Sequence, residues 1–87
     1  MGFYTHFAFV RNKPLREDEF LIAFGQRVKE IRKAKGLTQE KLGLIMDVEQ
    51  SQIKRIEQGA INTSISHMYA ICKALKVTPT ELFDGIQ

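Results

Sequence analysis

Residues 38–59 read TQEKLGLIMDVEQSQIKRIEQG, and this stretch decides the fold. Thr38 can cap a helix, because a threonine hydroxyl accepts a hydrogen bond from a free backbone N–H group in the first turn. The connection to the next helix spans only Met46–Glu49, and Gly59 ends that second helix. Two helices joined by so short a segment cross steeply, as in a helix-turn-helix. The stretch therefore predicts such a pair.

Five apolar residues of this stretch are expected to lock the second helix of the pair across the first. They are Leu42, Met46, Val48, Ile53 and Ile56. Ile45 is interpreted as lying in the core or near it, whereas Leu44 is exposed unless something covers it. Gly43 must be small, because the two helices touch there.

Three further helices are predicted around this pair. A first helix begins near Phe20, where apolar residues recur at spacings of four, four and three, and Gly36 caps its C-terminus. A fourth helix is capped by Thr63 or Ser64. Its predicted inward stripe is Ile65, Met68, Ile71, Cys72 and Leu75. The run TPTE at 78–81 has the pattern of a capping box with proline at the first helical position, and it opens a short fifth helix.

The N-terminal segment has a different pattern. Residues 1–19 are interpreted as an extension and residues 20–87 as the domain, with the motif at 39–58. Aromatic and β-branched residues alternate with others over residues 3–10, which is typical of a strand. A lone strand needs a partner surface. It would pair with its copy in a second chain or lie over Leu44.

The run at 38–59 resembles the phage repressor and Cro family, also called the XRE family. The resemblance extends through GQRVKEIRKAKGL before the run and ISHMYAICKALKVTPTELF after it, so it covers about residues 24–83. It implies an all-α, five-helix, lambda-repressor-like DNA-binding domain, here with an N-terminal strand-like extension.

The exposed face of the third helix is expected to read DNA. Gln50, Ser51, Lys54 and Arg55 form a polar stripe near its N-terminus, the end that enters the major groove in this motif. Glutamine can pair with adenine through two hydrogen bonds, and arginine with guanine. By the resemblance, Gln50, Ser51 and Arg55 face base edges and Lys54 reaches a phosphate. A scaffold role stays open for Arg55.

Contacts to the DNA backbone are expected at the start of the second helix and after the third. Gln39 opens the second helix, where free N–H groups favour an anion. The alternative is that Gln39 is a plain surface residue. The resemblance assigns the same backbone to Gln58, Asn62 and Thr63, with Arg27 and Lys41 as helpers.

The resemblance also implies a structural ion pair between Arg32 and Glu57, partly buried, that fixes the docking angle of the third helix. Two positions depart from the family pattern. Asp47 stands where a glycine with positive φ is preferred, and Asp is among the few residues that tolerate this conformation. Glu49 replaces the usual Ser or Thr cap of the third helix.

Composition limits the remaining classes. Of the net charge of +3, the excess lies in residues 21–48, with six basic and three acidic residues, which hints at a polyanionic partner. The single Cys72 fits a reducing compartment as a buried inert thiol. His6 and His67 lack companions at metal-ligand spacing, and no nucleophile–base pair stands out. We expect no enzyme activity, metal, cofactor or membrane span, and a cytoplasmic, nucleoid-associated protein.

These patterns predict a sequence-specific, double-stranded DNA-binding regulator of transcription that acts as a homodimer on a palindromic operator. The expected dimer contacts are Tyr69, Val77, Leu82, Phe83 and Ile86, with residues 3–10 as a second candidate. The size suggests no separate effector domain, as in small restriction–modification controller proteins. Two alternatives remain open. One is the antitoxin of a toxin–antitoxin pair, and the other is a protein-interaction module on a helix-turn-helix scaffold.

Overall fold

The computed structural model of the chain describes residues 16–86, and these residues form helices without any strand. The five helices are α1 (Asp18–Ala34), α2 (Gln39–Met46), α3 (Gln50–Glu57), α4 (Ile65–Leu75) and α5 (Pro79–Leu82). The predicted all-α, five-helix fold is thus confirmed. Helix α1 begins inside the segment interpreted as the extension, while the strand predicted at residues 3–10 lies outside the described residues.

Side-chain caps define the beginnings of three helices. The Thr38 Oγ1 atom accepts a hydrogen bond from the backbone N–H of Lys41 at 3.0 Å. Of the two candidates for α4, Ser64 is the cap. At α5, Thr78 and Glu81 form the predicted capping box. The backbone N–H of Thr78 donates to the Glu81 carboxylate at 2.9 Å, and this bond holds the pKa of Glu81 below its ordinary value.

The core lies where α1, α3 and α4 meet, with one residue each from α2 and α5. Its buried members are Phe24, Val28, Ile31, Leu42, Ile53, Ile56, Ile71, Cys72, Leu75 and Leu82. Burial raises the pKa of the Cys72 thiol, so the thiolate that would react is disfavoured. This fits the prediction of an inert cysteine.

Two predicted core residues are exposed instead. Ile45 is 55% exposed, because α3 and α4 pack on the side of α2 that carries Leu42 and leave Ile45 largely uncovered. Ile65 is 81% exposed, since it is the first residue of α4 and its side chain lies past the end of the core. Placing both residues in the core was wrong. Leu44 is 75% exposed, as expected, and no residue in the range 16–86 covers it.

The turn between α2 and α3 depends on the backbone conformation of Asp47 and on the small size of Gly43. Asp47 adopts the left-handed conformation, with φ of 59°, as the sequence predicted. A Cβ atom at Gly43 would lie 2.8 Å from the carbonyl oxygen of Val48, closer than real Cβ contacts come. Gly25 of α1 has a similar role, because a Cβ there would collide with the carbonyl oxygens at the end of α3. Both glycines let helices approach closely.

A buried ion pair joins the end of α1 to the end of α3. The Arg32 Nε atom donates to Glu57 Oε2 at 2.6 Å, and Arg32 Nη2 donates to Glu57 Oε1 at 3.1 Å. Arg32 Nη1 donates to the Leu37 carbonyl at 2.8 Å, and the Gln39 amide donates to Glu57 Oε1 at 3.0 Å. Both charged side chains are buried. Four segments therefore meet at one pair of charges.

Removing one charge of this pair should strongly destabilise the fold. We expect Glu57→Gln to lower the free energy of unfolding by about 3–5 kcal/mol, because the buried Arg32 guanidinium would lose its counter-charge. Denaturant unfolding measures the loss, and a double-mutant cycle with Arg32→Met should show strong coupling between the two positions.

The exposed ion pair of Arg16 with Asp18, whose atoms lie 3.0 Å apart, is the matched control. Arg16→Gln should change the free energy of unfolding by less than about 1 kcal/mol. Purely additive effects of Glu57→Gln and Arg32→Met would contradict the structural role given to the buried pair.

Candidate nucleic-acid interface

Helix α3 presents a polar face beside a buried apolar one. Gln50, Ser51, Lys54 and Arg55 are all exposed, whereas Ile53, Ile56 and Glu57 are buried on the other side. The structure therefore brings the sequence-predicted base-reading residues together on one face. Glu49 precedes the helix and makes no side-chain capping bond, so the N–H groups of its first turn lack a side-chain acceptor.

At the N-terminus of α2, the groups that are free to bind a ligand are backbone N–H groups and not the Gln39 side chain. The Gln39 amide donates inward to Glu57, and the residue is half-buried. Thr38 satisfies only the N–H of Lys41. The N–H groups of Gln39 and Glu40 have no carbonyl partner within the helix, since the first turn always leaves such groups free. These N–H groups are the part of α2 suited to an anion such as a phosphate.

The remaining residues predicted to contact the DNA backbone lie in and beside the segment that leaves α3. Gln58 is the C-cap residue of α3 and is exposed, Asn62 is exposed, and Thr63 is half-buried before α4. Lys41 is exposed on α2. The structure places Arg27 differently. Its Nη2 atom donates to the Glu81 carbonyl at 2.8 Å, which ties α1 to α5.

His67 makes a polar contact beside α3 that the sequence does not predict. His67 is half-buried, and its Nε2 atom lies 3.4 Å from the side-chain nitrogen of Gln52. Its Nδ1 atom lies 3.0 Å from Ser64 Oγ. The serine cap three residues before His67 was a usable local signal. Nothing in the sequence pairs His67 with Gln52, because they come together only through the packing of α4 on α3.

Apolar side chains form a patch on another part of the surface, which we call the apolar patch. It consists of Phe20, Ile65, Met68, Tyr69 and Phe83. Ile65 and Tyr69 are 81% and 60% exposed. The rings of Phe20 and Phe83 lie 5.9 Å apart, and Phe20, Ile65, Met68 and Phe83 line a groove of about 190 Å³.

The apolar patch includes Tyr69 and Phe83 of the predicted dimer contacts but not Leu82. Leu82 is fully buried, because the single turn of α5 directs it into the core, so its assignment to a dimer contact was wrong. Val77 and Ile86 are partly buried against the same core.

Other kinds of site find little support within residues 16–86. No group of three or more His, Cys, Asp and Glu side chains is arranged there to hold a metal ion. None of the described helices has the length and apolar character needed to cross a membrane.

Comparison with known proteins agrees with this geometry. Residues 28–82 match the family model described as helix-turn-helix. The chain is 41% identical over 64 residues to control protein C.BamHI of Bacillus amyloliquefaciens, covering 72% of this chain and 79% of that protein.

Two solved structures are similar in fold. One is the restriction–modification controller protein C.AhdI of Aeromonas hydrophila, with a TM-score of 0.70 and 40% identity over 72% of this chain and 96% of that one. The other is the controller protein C.Esp1396I, solved as a tetramer with its natural 35 base-pair operator. It has a TM-score of 0.72 and 31% identity, over 78% of this chain and 90% of that one. From its matched residues and these likenesses, the chain belongs to the helix-turn-helix family of the repressor and Cro (XRE) type.

Proposed function

We propose that the chain is a sequence-specific, double-stranded DNA-binding regulator of transcription that acts as a homodimer on a palindromic operator. The observation that carries the proposal is the exposed polar face of α3. The opposite side of this helix is packed in the core and is fixed by the buried Arg32–Glu57 ion pair. The similar controller protein that was solved with its operator supports the same function.

In this proposal, α3 enters the major groove with its N-terminal end first. Gln50, Ser51 and Arg55 face base edges, where glutamine and arginine can each make two hydrogen bonds to one base. Lys54 reaches a phosphate.

Flanking groups grip the DNA backbone on either side of α3. The free N–H groups at the start of α2 bind one phosphate, and Gln58, Asn62 and Thr63 bind the strand near the end of α3. Backbone contacts of this kind fix the register of the protein on the duplex without reading its sequence.

The Arg32–Glu57 pair holds α3 at one angle relative to α1, so the reading residues approach the groove as a unit. Binding at the operator would block or recruit RNA polymerase. Among the regulatory alternatives, the likeness to controller proteins favours a controller over an antitoxin. The exposed amide-rich and basic face of α3 favours DNA binding over a protein-interaction module.

Selection of binding sites from random duplexes, followed by footprinting, tests this function. We expect a selected site with two-fold symmetry. Its affinity should fall steeply with salt, with a slope in log–log form of about −0.9 for each phosphate contacted. Failure of both random and selected duplexes to bind at low salt would favour the interaction module instead.

Replacing Gln50 should remove one base-reading contact. We expect Gln50→Ala to weaken binding at the selected site by about 1–3 kcal/mol and to relax preference at one base pair. Lys54→Ala should weaken all duplexes alike and reduce the salt slope by about 1. Ser66→Ala, an exposed change on α4, is the control that leaves affinity unaltered. Equal losses on every sequence for Gln50→Ala would reassign Gln50 to the DNA backbone.

A single α3 reads only a few base pairs, so we expect the chain to pair across a palindrome through the apolar patch. Light scattering should give twice the mass of one chain, and Tyr69→Asp should shift it to a monomer because a charge would be buried at the contact. Leu44→Asp, at a similarly exposed apolar site, is the matched control and should remain dimeric.

The N-terminal segment can be tested in the same experiment. A chain that starts at Lys13 and stays dimeric would give residues 3–10 a covering role only. A full-length monomer at tens of micromolar would contradict the dimer.

A further inference from the structure

His67 is tied to two other residues through both of its ring nitrogens. Ser64 Oγ accepts the backbone N–H of His67 at 3.1 Å, and it lies 3.0 Å from His67 Nδ1. The same serine thus caps α4 and holds the imidazole ring. The Nε2 atom on the other side of the ring lies 3.4 Å from the side-chain nitrogen of Gln52 on α3.

Gln52 lies at the border between the two faces of α3. It is half-buried, between the exposed Arg55 and the buried Ile56 on the helix circumference. It also lines a cavity of about 270 Å³ together with Asn62 and Thr63, which are proposed to bind the DNA backbone. One end of the Gln52 amide faces His67. Gln52 also lines a second cavity together with Glu49 and Gln50, at the start of α3 that DNA would approach.

The hydrogen bonds among Ser64, His67 and Gln52 depend on whether the imidazole ring is neutral or protonated. The side-chain nitrogen of Gln52 can only donate, and it is the atom that faces Nε2, so in this arrangement Nε2 of the neutral ring accepts and the ring proton lies on Nδ1, beside Ser64 Oγ. The Gln52 oxygen then points away from His67. When Nε2 gains a proton, both ring nitrogens are donors, and Nε2–H needs an acceptor. The side-chain amide of Gln52 must then rotate by about half a turn to place its oxygen next to Nε2, and its NH₂ group points away from His67.

We propose that Gln52 is a further contact to the DNA backbone, and that the proton on His67 decides whether Gln52 presents a donor or an acceptor to a phosphate. The inference rests on the proposed function. Phosphate oxygens only accept hydrogen bonds, so the protonated state of His67 binds DNA more tightly. Histidine is the residue type best placed to make such a change near neutral pH.

The other residues that line the cavity beside the His67 ring are all uncharged. This cavity is lined from α3 by Gln52 and Ile56, from the connecting segment by Ile61, Asn62 and Thr63, and from the start of α4 by Ser64. None of these residues is ionisable. Because the protonated form binds more tightly, affinity for DNA should be greatest at acidic pH and should fall as pH rises and His67 loses its proton.

The test measures the affinity of the full-length chain for its selected duplex between about pH 5 and 8, the range in which histidine changes charge. We expect affinity to fall by at least about tenfold across this range, the effect of one hydrogen bond to a charged group. His67→Gln should remove this pH dependence, and Gln52→Ala should remove it as well, although His67 keeps its charge. His6→Gln is the matched control and should retain it.

If the pH dependence of DNA affinity persists in His67→Gln or in Gln52→Ala, the inference is overturned. In the second case the charge on His67 would act on DNA directly. Thermal unfolding of each variant checks that the fold is intact.

NMR of the free protein separates this inference from the proposed function. The side-chain amide resonances of Gln52 should shift with the titration of the His67 ring in the absence of DNA, and resonances that stay constant would overturn the coupling. If the coupling is present but no duplex binds at any pH, the proposed function fails, and the DNA contact of Gln52 fails with it.

Discussion

The buried ion pair between Arg32 and Glu57 is the interaction on which the rest of the structure depends. Two charges removed from water are costly unless each finds partners, and here the carboxylate accepts from Arg32 and Gln39 while the guanidinium also reaches the Leu37 carbonyl. The pair thereby joins the end of α1, the start of α2 and the end of α3. A buried network of this kind is satisfied in one arrangement of the three helices and is costly in others.

This anchor explains how α3 can be so polar. The helix has eight residues, and only Ile53 and Ile56 are buried apolar side chains within it. Isolated helices of this length are unstable in water, so α3 owes its stability to tertiary contacts. With Glu57 fixed at its end and Gly25 of α1 allowing the backbones to touch, the rest of its surface is not needed for packing. It is free to carry amides, a hydroxyl and cations.

Gln39 and His67 show how the same contacts that build the fold also limit the site. The Gln39 side chain completes the ion pair, so only the backbone N–H groups at the start of α2 are proposed to bind a phosphate. His67 belongs to α4, yet it faces the flank of α3 through Gln52. Exposed apolar residues lie on two other helices. Ile65 and Tyr69 lie on α4, and Leu44 and Ile45 lie on α2, so exposed apolar side chains occur on both helices.

The sequence alone determined the five helices and the starts of α2 and α5, because the Thr38 cap and the capping box of Thr78 with Glu81 act within one turn of chain. It also indicated the left-handed Asp47 and, through the family resemblance, the partners Arg32 and Glu57. Only the tertiary structure decided that Ile45 and Ile65 are exposed, that Leu82 is buried, and that Gln39 and His67 turn towards other helices. Periodicity identifies the apolar side of one helix, whereas burial depends on which neighbours cover that side and where they end.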